Sequence, residues 1–349
     1  MNRSALSRFV MPLRELLKQY ADLIAGCRGR TGSIIIGLTC DCVPPEVTAA
    51  LDVTALRLPS FVGGACTCES AAAGVARGVY DLIVVPKGCA SAAGLACSGI
   101  PIHELDLPHG WGESAALRLR EAVDGLLRAA GRGGIDCVDQ TRLRECTIRY
   151  NALRRLVRGV AGVRRAKPAS LSCQDLAVIH EAAMVLPPDT VEPYLADLLD
   201  AMNREPESGE VRVPALVYQS FINDSILWDG IEEAGCVIVE DDSCGGRRQF
   251  EMSYSADNPR LLEEIFDAYS YRPLCPSVRP LGERVELFYR MVKSQGIELV
   301  VFVEDQCCPA RKRDIGILRD VLMRSGVDPI VVTAENAAAE VREYVRRCG

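Results

Sequence analysis

The 349-residue chain is 48% hydrophobic, 25% charged and only 5% aromatic, and its 40 basic and 47 acidic side chains leave a net charge of −7. This is the composition of an ordinary soluble globular protein, and the chain is long enough that a single hydrophobic core is not the default. No basic block stands out beyond Arg154–Arg165, which reads as the solvated face of a helix, so a nucleic-acid role is disfavoured.

No stretch approaches the roughly eighteen apolar residues of a membrane span. The amphipathic run Leu6–Ile24 is broken by charges and has no signal-type apolar centre, so a cytoplasmic location is expected. The sixteen cysteines are then the anomaly. In a reducing compartment they point to metal binding or redox chemistry rather than to disulfides.

In chain order, residues 4–26 carry apolar positions at helical spacing. Ser33–Thr39 is a short β-rich run suited to a buried parallel strand. Pro44-Pro45-Glu46 opens a helix to about Leu51, with proline in the first turn where it is tolerated. Ala55–Leu58 predicts a strand, Glu69–Gly78 a helix, Asp81–Pro86 a strand and Glu113–Ala130 a long helix. Residues 139–204 hold helical periodicity without a strand, over Arg142–Val160, Cys173–Val185 and Val191–Met202.

After the polar hinge Glu205–Glu210 the alternation restarts. Arg212–Gln219, Cys236–Glu240, Ile297–Val303 and Pro329–Thr333 predict strands. Asp224–Ala234, Pro259–Tyr269, Gly282–Gln295, Arg311–Arg324 and Ala337–Arg347 predict helices. The expected fold is α/β: two Rossmann-like parallel-sheet domains, 1–135 and 211–349, joined by a helical segment, 136–210.

Cysteine position matters more than count. Cys40, Cys89, Cys244 and the pair Cys307/Cys308 each follow a predicted strand. Cys66 and Cys68 precede a predicted helix, and Cys275 lies in a proline-flanked loop. Ligands of open α/β sheets bind beyond the carboxyl ends of the strands, and helix N-termini there favour thiolates. Cys27, Cys137, Cys146, Cys173, Cys236 and Cys348 read instead as small buried apolar side chains. There is no Cys-x-x-Cys, no ferredoxin cysteine run and no His-x-x-x-His pair, so zinc fits less well than a cluster ligated by cysteines distant in sequence. His103, His109 and His180 read as structural or surface residues. Asp241, Asp242, Glu304 and Asp305, beside several of these thiols, suit either proton relay or helix capping.

Five stretches together carry a family resemblance. Cys40-Asp41-Cys42-Val43-Pro44-Pro45-Glu46 resembles a Cys-x-x-Val-Pro-x-Glu segment. Lys87-Gly88-Cys89-Ala90 follows a strand, with alanine where aspartate is usual. Asp241-Asp242-Ser243-Cys244-Gly245-Gly246-Arg247 is close to an Asp-Asp-x-Cys-x-Gly-x-Arg signature, its arginine being Arg247 or Arg248. Val303-Glu304-Asp305-Gln306-Cys307-Cys308-Pro309 parallels a late strand followed by Phe-Cys-Asp-Pro, and Tyr150-Asn151-Ala152-Leu153-Arg154-Arg155 resembles the helical linker. The chain thus resembles the 2-hydroxyacyl-CoA dehydratase and benzoyl-CoA reductase subunits and their relatives, the double-cubane cluster proteins.

That resemblance implies an oxygen-sensitive iron–sulfur cofactor between the two domains, either [4Fe–4S] or an [8Fe–9S] double cubane. Its motifs match Cys40, Cys89, Cys244 and Cys307, and the loop cysteines Cys66 and Cys275 complete a set of six expected ligands, with Cys42, Cys68 and Cys308 as alternates. It further implies electrons from a separate ATP-hydrolysing iron–sulfur activator. The chain's lack of a Gly-x-x-x-x-Gly-Lys-Ser/Thr loop agrees with such a partner. The expected function is an ATP-coupled iron–sulfur reductase acting as a homodimer. The alternatives are a [4Fe–4S] subunit of a heterodimeric acyl-CoA dehydratase and a non-catalytic electron-transfer module.

Overall fold

The computed structural model describes residues 4–59, 78–89, 95, 99–108, 110–168, 170–206, 212–219, 225–272, 276, 281–304 and 308–348. Two four-stranded, wholly parallel sheets organise the molecule. The first contains β1 (Ile34–Leu38), β2 (Val53–Arg57), β3 (Leu82–Pro86) and β4 (Ile102–Leu105), in the order β2-β1-β3-β4. The second contains β5 (Val213–Tyr218), β6 (Cys236–Asp242), β7 (Leu299–Val303) and β8 (Asp328–Val332), in the matching order β6-β5-β7-β8. Central strands such as Leu82–Pro86 and Leu299–Val303 are buried throughout. That is why they read in the sequence as continuous apolar runs rather than as alternations.

The helices are α1 (Ser4–Lys18), α2 (Tyr20–Thr31), α3 (Pro45–Ala49), α4 (Glu113–Ala129), α5 (Gln140–Ala166), α6 (Cys173–Val185), α7 (Pro188–Arg204), α8 (Ser225–Glu233), α9 (Leu261–Tyr271), α10 (Leu281–Ser294), α11 (Pro309–Arg324) and α12 (Ala337–Cys348). Asp139 caps α5 by accepting from the Arg142 N–H, and Ser172 caps α6 in the same way through the Asp175 N–H. Each cap satisfies a backbone donor that the first helical turn leaves open. The predicted helix over Glu69–Gly78 falls almost wholly outside the described residues.

Four apolar layers cover the four sheet faces. Ile35, Ile83 and Val85 pack with Leu13 and Ile24 and with the helical layer that includes Leu153, Ile179 and Leu195. Ile36, Leu38 and Val84 face Leu119 and Val123 of α4 together with Ile265 and Tyr269 of α9. Hence the segment after β6 crosses over to cover the first sheet. In the second sheet, Ala215, Val217 and Ile238 pack on α8 and α12, and Leu216, Tyr218 and Phe302 pack on α10 and α11. Full burial of one such Leu, Ile or Phe stabilises the fold by about 1.5–3 kcal/mol.

One irregularity redirects side chains. Ala215 pairs with Ile238 but Leu216 pairs with Glu240, leaving Val239 as an extra residue on β6. This bulge turns Glu240 and Asp242 to the face of Leu216 and Tyr218, where regular alternation from Ile238 would have put them on the other.

Three expectations are corrected. Arg154 and Arg164 lie in the expected solvated basic stretch, yet they are buried, because α5 packs on both sides and each arginine meets a buried glutamate, Glu46 and Glu232. Cys137 is exposed rather than buried, since it lies in a short 3-10 turn between α4 and α5. The N-terminal helical run is divided at Gln19 into α1 and α2. A strand not anticipated, β4, completes the first sheet. Among the described residues no helix is long and apolar enough to cross a membrane.

Candidate functional site

Both sheets reverse strand order between their two central strands, and such a switch point leaves a crevice beyond the strand carboxyl ends. Cys40 follows β1 and Cys89 follows β3, so these two thiols flank the switch point of the first sheet. In the second sheet Cys244 follows β6, and Cys308 precedes α11 after β7. Cys40 and Cys42 are buried, and Cys89, Cys244 and Cys308 are half-buried. Cys66, Cys68, Cys275 and Cys307 lie outside the described residues. Among the described residues, no three His, Cys, Asp or Glu side chains stand together as a single metal ion would require.

The loop after β1 holds its thiols tightly. Cys40 Sγ lies 3.3 Å from Asp41 Oδ1, and Cys42 Sγ lies 3.9 Å from the Cys40 carbonyl oxygen. Interaction with the Cys42 thiol, burial and the Asp41 charge all push the Cys40 thiol upward, against a smaller opposing pull from Arg57. Ionising Cys40 therefore calls for a cationic partner.

Asp41 joins the two domains. Arg272, at the end of α9, donates to the Asp41 carboxylate at 2.8 Å and to its carbonyl oxygen at 3.0 Å. Arg248, in the short turn after the Cys244 loop, places Nε 3.6 Å from the same carboxylate and Nη1 3.4 Å from Asp242. Arg311 of α11 closes the series, with Nη2 3.0 Å from Asp242 and Nη1 donating to the Asp242 carbonyl oxygen at 2.7 Å. All five side chains are almost wholly buried. Burial alone would raise Asp41, but Arg272, Arg248 and Arg57 outweigh it and hold the carboxyl at about 2. Arg311, Arg248 and Arg284 likewise overcome burial and lower Asp242. This ladder ties the Cys40 loop to the Cys244 loop.

The neighbouring acids have different duties. Asp241 accepts from Ser243 Oγ at 2.6 Å and from the Arg247 N–H at 3.2 Å, so it organises the turn behind Cys244. Gly246 is required there, because a Cβ would stand 1.5 Å from Asp241 Oδ1. Arg247 pairs with Glu240, which leaves Arg248 as the arginine directed across the cleft. Burial drives Glu240 up to about 8 in spite of Arg247. The Glu304 side chain is exposed, and Asp305 lies outside the described residues. Glu46, beyond the Cys40 loop, is fully buried against Arg154, whose guanidinium sits over Tyr254 at 5.3 Å.

Two cavities flank the ladder. One of about 70 Å³ touches Cys40, Asp41, Arg57 and Arg154. The other, about 270 Å³, is bounded by Asp242, Arg248 and Arg284 over a floor of Leu287, Phe288 and Met291. Sequence reasoning missed Arg57, Arg272 and Arg311 altogether. Only Arg248 left a trace, as one of two candidates for the signature arginine.

The fold and site thus define a two-domain α/β protein with thiols at the carboxyl edges of both sheets, linked by buried ion pairs. A family model described as 2-hydroxyglutaryl-CoA dehydratase, D-component, matches residues 40–347, and the chain belongs to that family. No curated protein matches it.

Proposed function

We propose that the chain is an iron–sulfur reductase of the 2-hydroxyacyl-CoA dehydratase superfamily, reduced by a separate ATP-hydrolysing iron–sulfur activator. Cys40, Cys66 and Cys89 from the first domain, and Cys244, Cys275 and Cys307 from the second, are the ligands in this reading. Cys42, Cys68 and Cys308 are their alternates. The observation that carries it is the matched strand order of the two sheets, with Cys40 and Cys89 beside one switch point and Cys244 and Cys308 at the corresponding edge of the other.

The described donors fit such a group, being thiols in a buried setting rich in guanidinium. When bound, the cluster supplies low-potential electrons. The chain's own residues do the rest. Asp41 and Arg248 hold the two thiol loops together, and the apolar wall of Leu38, Val43 and Phe250 around the smaller cavity limits water at Cys40. Three thiols from each domain favour the double cubane. The second reading, a [4Fe–4S] subunit of an acyl-CoA dehydratase, is favoured by the family match itself.

The deciding experiment is anaerobic purification with iron and acid-labile sulfide counted per chain, for the parent, Cys40→Ala and Cys244→Ala. A double cubane gives ~8 irons in the parent, lost in both variants, because metal binding and cleft closure are coupled. About four irons, retained in full by one variant, transfers the assignment to the single-cluster subunit. A colourless protein holding stoichiometric zinc refutes both.

A further inference from the structure

The charge balance of the cleft is uneven. Among the described residues, the guanidiniums of Arg57, Arg248 and Arg272 all act on one carboxylate, that of Asp41. Three guanidiniums around one shared carboxylate leave positive charge in surplus there, and all four side chains are nearly excluded from water. An uncompensated buried charge is among the costliest features a fold can carry.

The surplus can be traced to particular atoms. Arg57 is 5% exposed, and among the described residues its Nη1 has no hydrogen-bond partner. Arg248 is 6% exposed; among the described residues its Nη2 has none, and its Nε has only the ion pair with Asp41 at 3.6 Å. Buried donors are nearly always satisfied, so these orphans mark where an acceptor belongs. Their positions are complementary. Arg57 ends β2 beside the Cys40 loop, and its charge acts on the Cys40 thiol. Arg248 follows Cys244 by four residues, and the Cys244 charge acts on it in turn. Each domain therefore pairs one sheet-edge thiol with one under-satisfied arginine. Arg272 and Arg311, by contrast, make short bonds to Asp41 and Asp242 and stack over Tyr269 and Tyr218 at 4.6 and 4.5 Å, as structural arginines do.

We propose that Arg57 and Arg248 form a cationic cradle that donates hydrogen bonds to an anionic sulfide or thiolate group held between the Cys40 and Cys244 loops, making them positioning residues for that group's charge state. This rests on the iron–sulfur reading above and adds the residues that stabilise the added electron. A buried cation beside the cluster favours the reduced form, and taking it away makes reduction harder.

The test uses anaerobically prepared full-length protein, with iron per chain measured before an EPR-monitored redox titration. Arg57→Gln should retain iron, and Arg248→Gln, which also loosens the tie between the loops, is titrated on the cluster it holds; both should lower the one-electron reduction equilibrium constant at least tenfold, a shift of 59 mV to more negative potential. Arg248→Lys, which keeps the charge and loses the fork, should recover most of that shift. Should Arg248→Gln fail to fold, Arg57→Gln and Arg248→Lys decide: a tenfold loss in the former with near-parent behaviour in the latter supports the cradle. Iron-loaded Gln variants with the parent's potential overturn it and leave the cluster assignment standing. A parent chain that binds no iron after anaerobic reconstitution overturns the cluster assignment and the cradle with it.

Discussion

Replacing Asp41 by asparagine removes the carboxylate shared by Arg272 and Arg248 while keeping the side chain's volume. Asp41 Oδ2 lies 2.8 Å from Arg272 and 3.6 Å from Arg248, and all three groups are buried. The depression of its pKa from 3.8 to about 2 corresponds to roughly 2 kcal/mol at 1.36 kcal/mol per unit. The variant loses that and also strands two guanidiniums, which brings the expected loss to about 3–5 kcal/mol. The melting temperature should then fall by roughly 6–15 °C.

The pH dependence carries a definite sign. Because the folded pKa lies below the unfolded one, the contribution of Asp41 is complete above about pH 5 and is lost as pH falls through 4 toward 2. The assay is urea denaturation of the purified parent and Asp41→Asn proteins from pH 7 downward. The gap between them should narrow as the parent carboxylate is protonated. Asp52→Asn is the control, because the Asp52–Arg142 pair is half exposed and should contribute under about 1 kcal/mol. A loss below about 1 kcal/mol at pH 7 for Asp41→Asn, or a gap that does not change with pH, would refute the ladder as a stabilising link between the domains.

Three further outcomes are expected. His180 is buried and stacked on Phe250 at 5.4 Å, and among the described residues neither ring nitrogen has a hydrogen-bond partner. Burial lowers it to about 4, so the fold loses stability as pH falls from 6.5 toward 4, and His180→Phe should abolish that component in a thermal-melt pH series while costing little at pH 7. Glu240, raised to about 8 by burial, keeps its proton in the folded chain while the unfolded chain releases it, so stability should fall as pH rises from about 4.5 to 8, and Glu240→Gln should flatten that slope. Gly246→Ala must displace Asp241 and Ser243 and should reduce soluble yield and melting temperature sharply, whereas Gly245→Ala meets only Met184 Cε at 3.6 Å and should be tolerated.

Much of the architecture is written locally. Leu82–Pro86 and Leu299–Val303 could be read to within two residues, because a strand buried on both faces must be apolar along its length and must end where glycine, proline or charge intervenes. Cys173–Val185 is found as predicted, its Ser172 cap being a local hydrogen bond. The cysteines of the loops after β1, β3 and β6 could be placed at strand ends from spacing alone. Where local rules fail, the reason is physical. Ile102–Leu105 is an edge strand with alternately exposed residues, so it carries little apolar signal. The break at Gln19 leaves the helical periodicity almost undisturbed. Arg154 and Arg164 look like solvent-facing charges until α5 is packed.

Two parallel-sheet halves and the strand-end positions of Cys40, Cys89 and Cys244 depend on residues a few places apart, and so they were legible in the chain. Which charges meet was settled only when the elements packed. Asp41 and Arg272 are separated by 231 positions, and Arg248 and Arg311 converge on Asp242 from different elements. The Val239 bulge turns Asp242 toward them, and no spacing rule reports it. An ion pair between distant residues depends on how the sheets and helices pack against one another, and that packing is a property of the assembled core rather than of any segment.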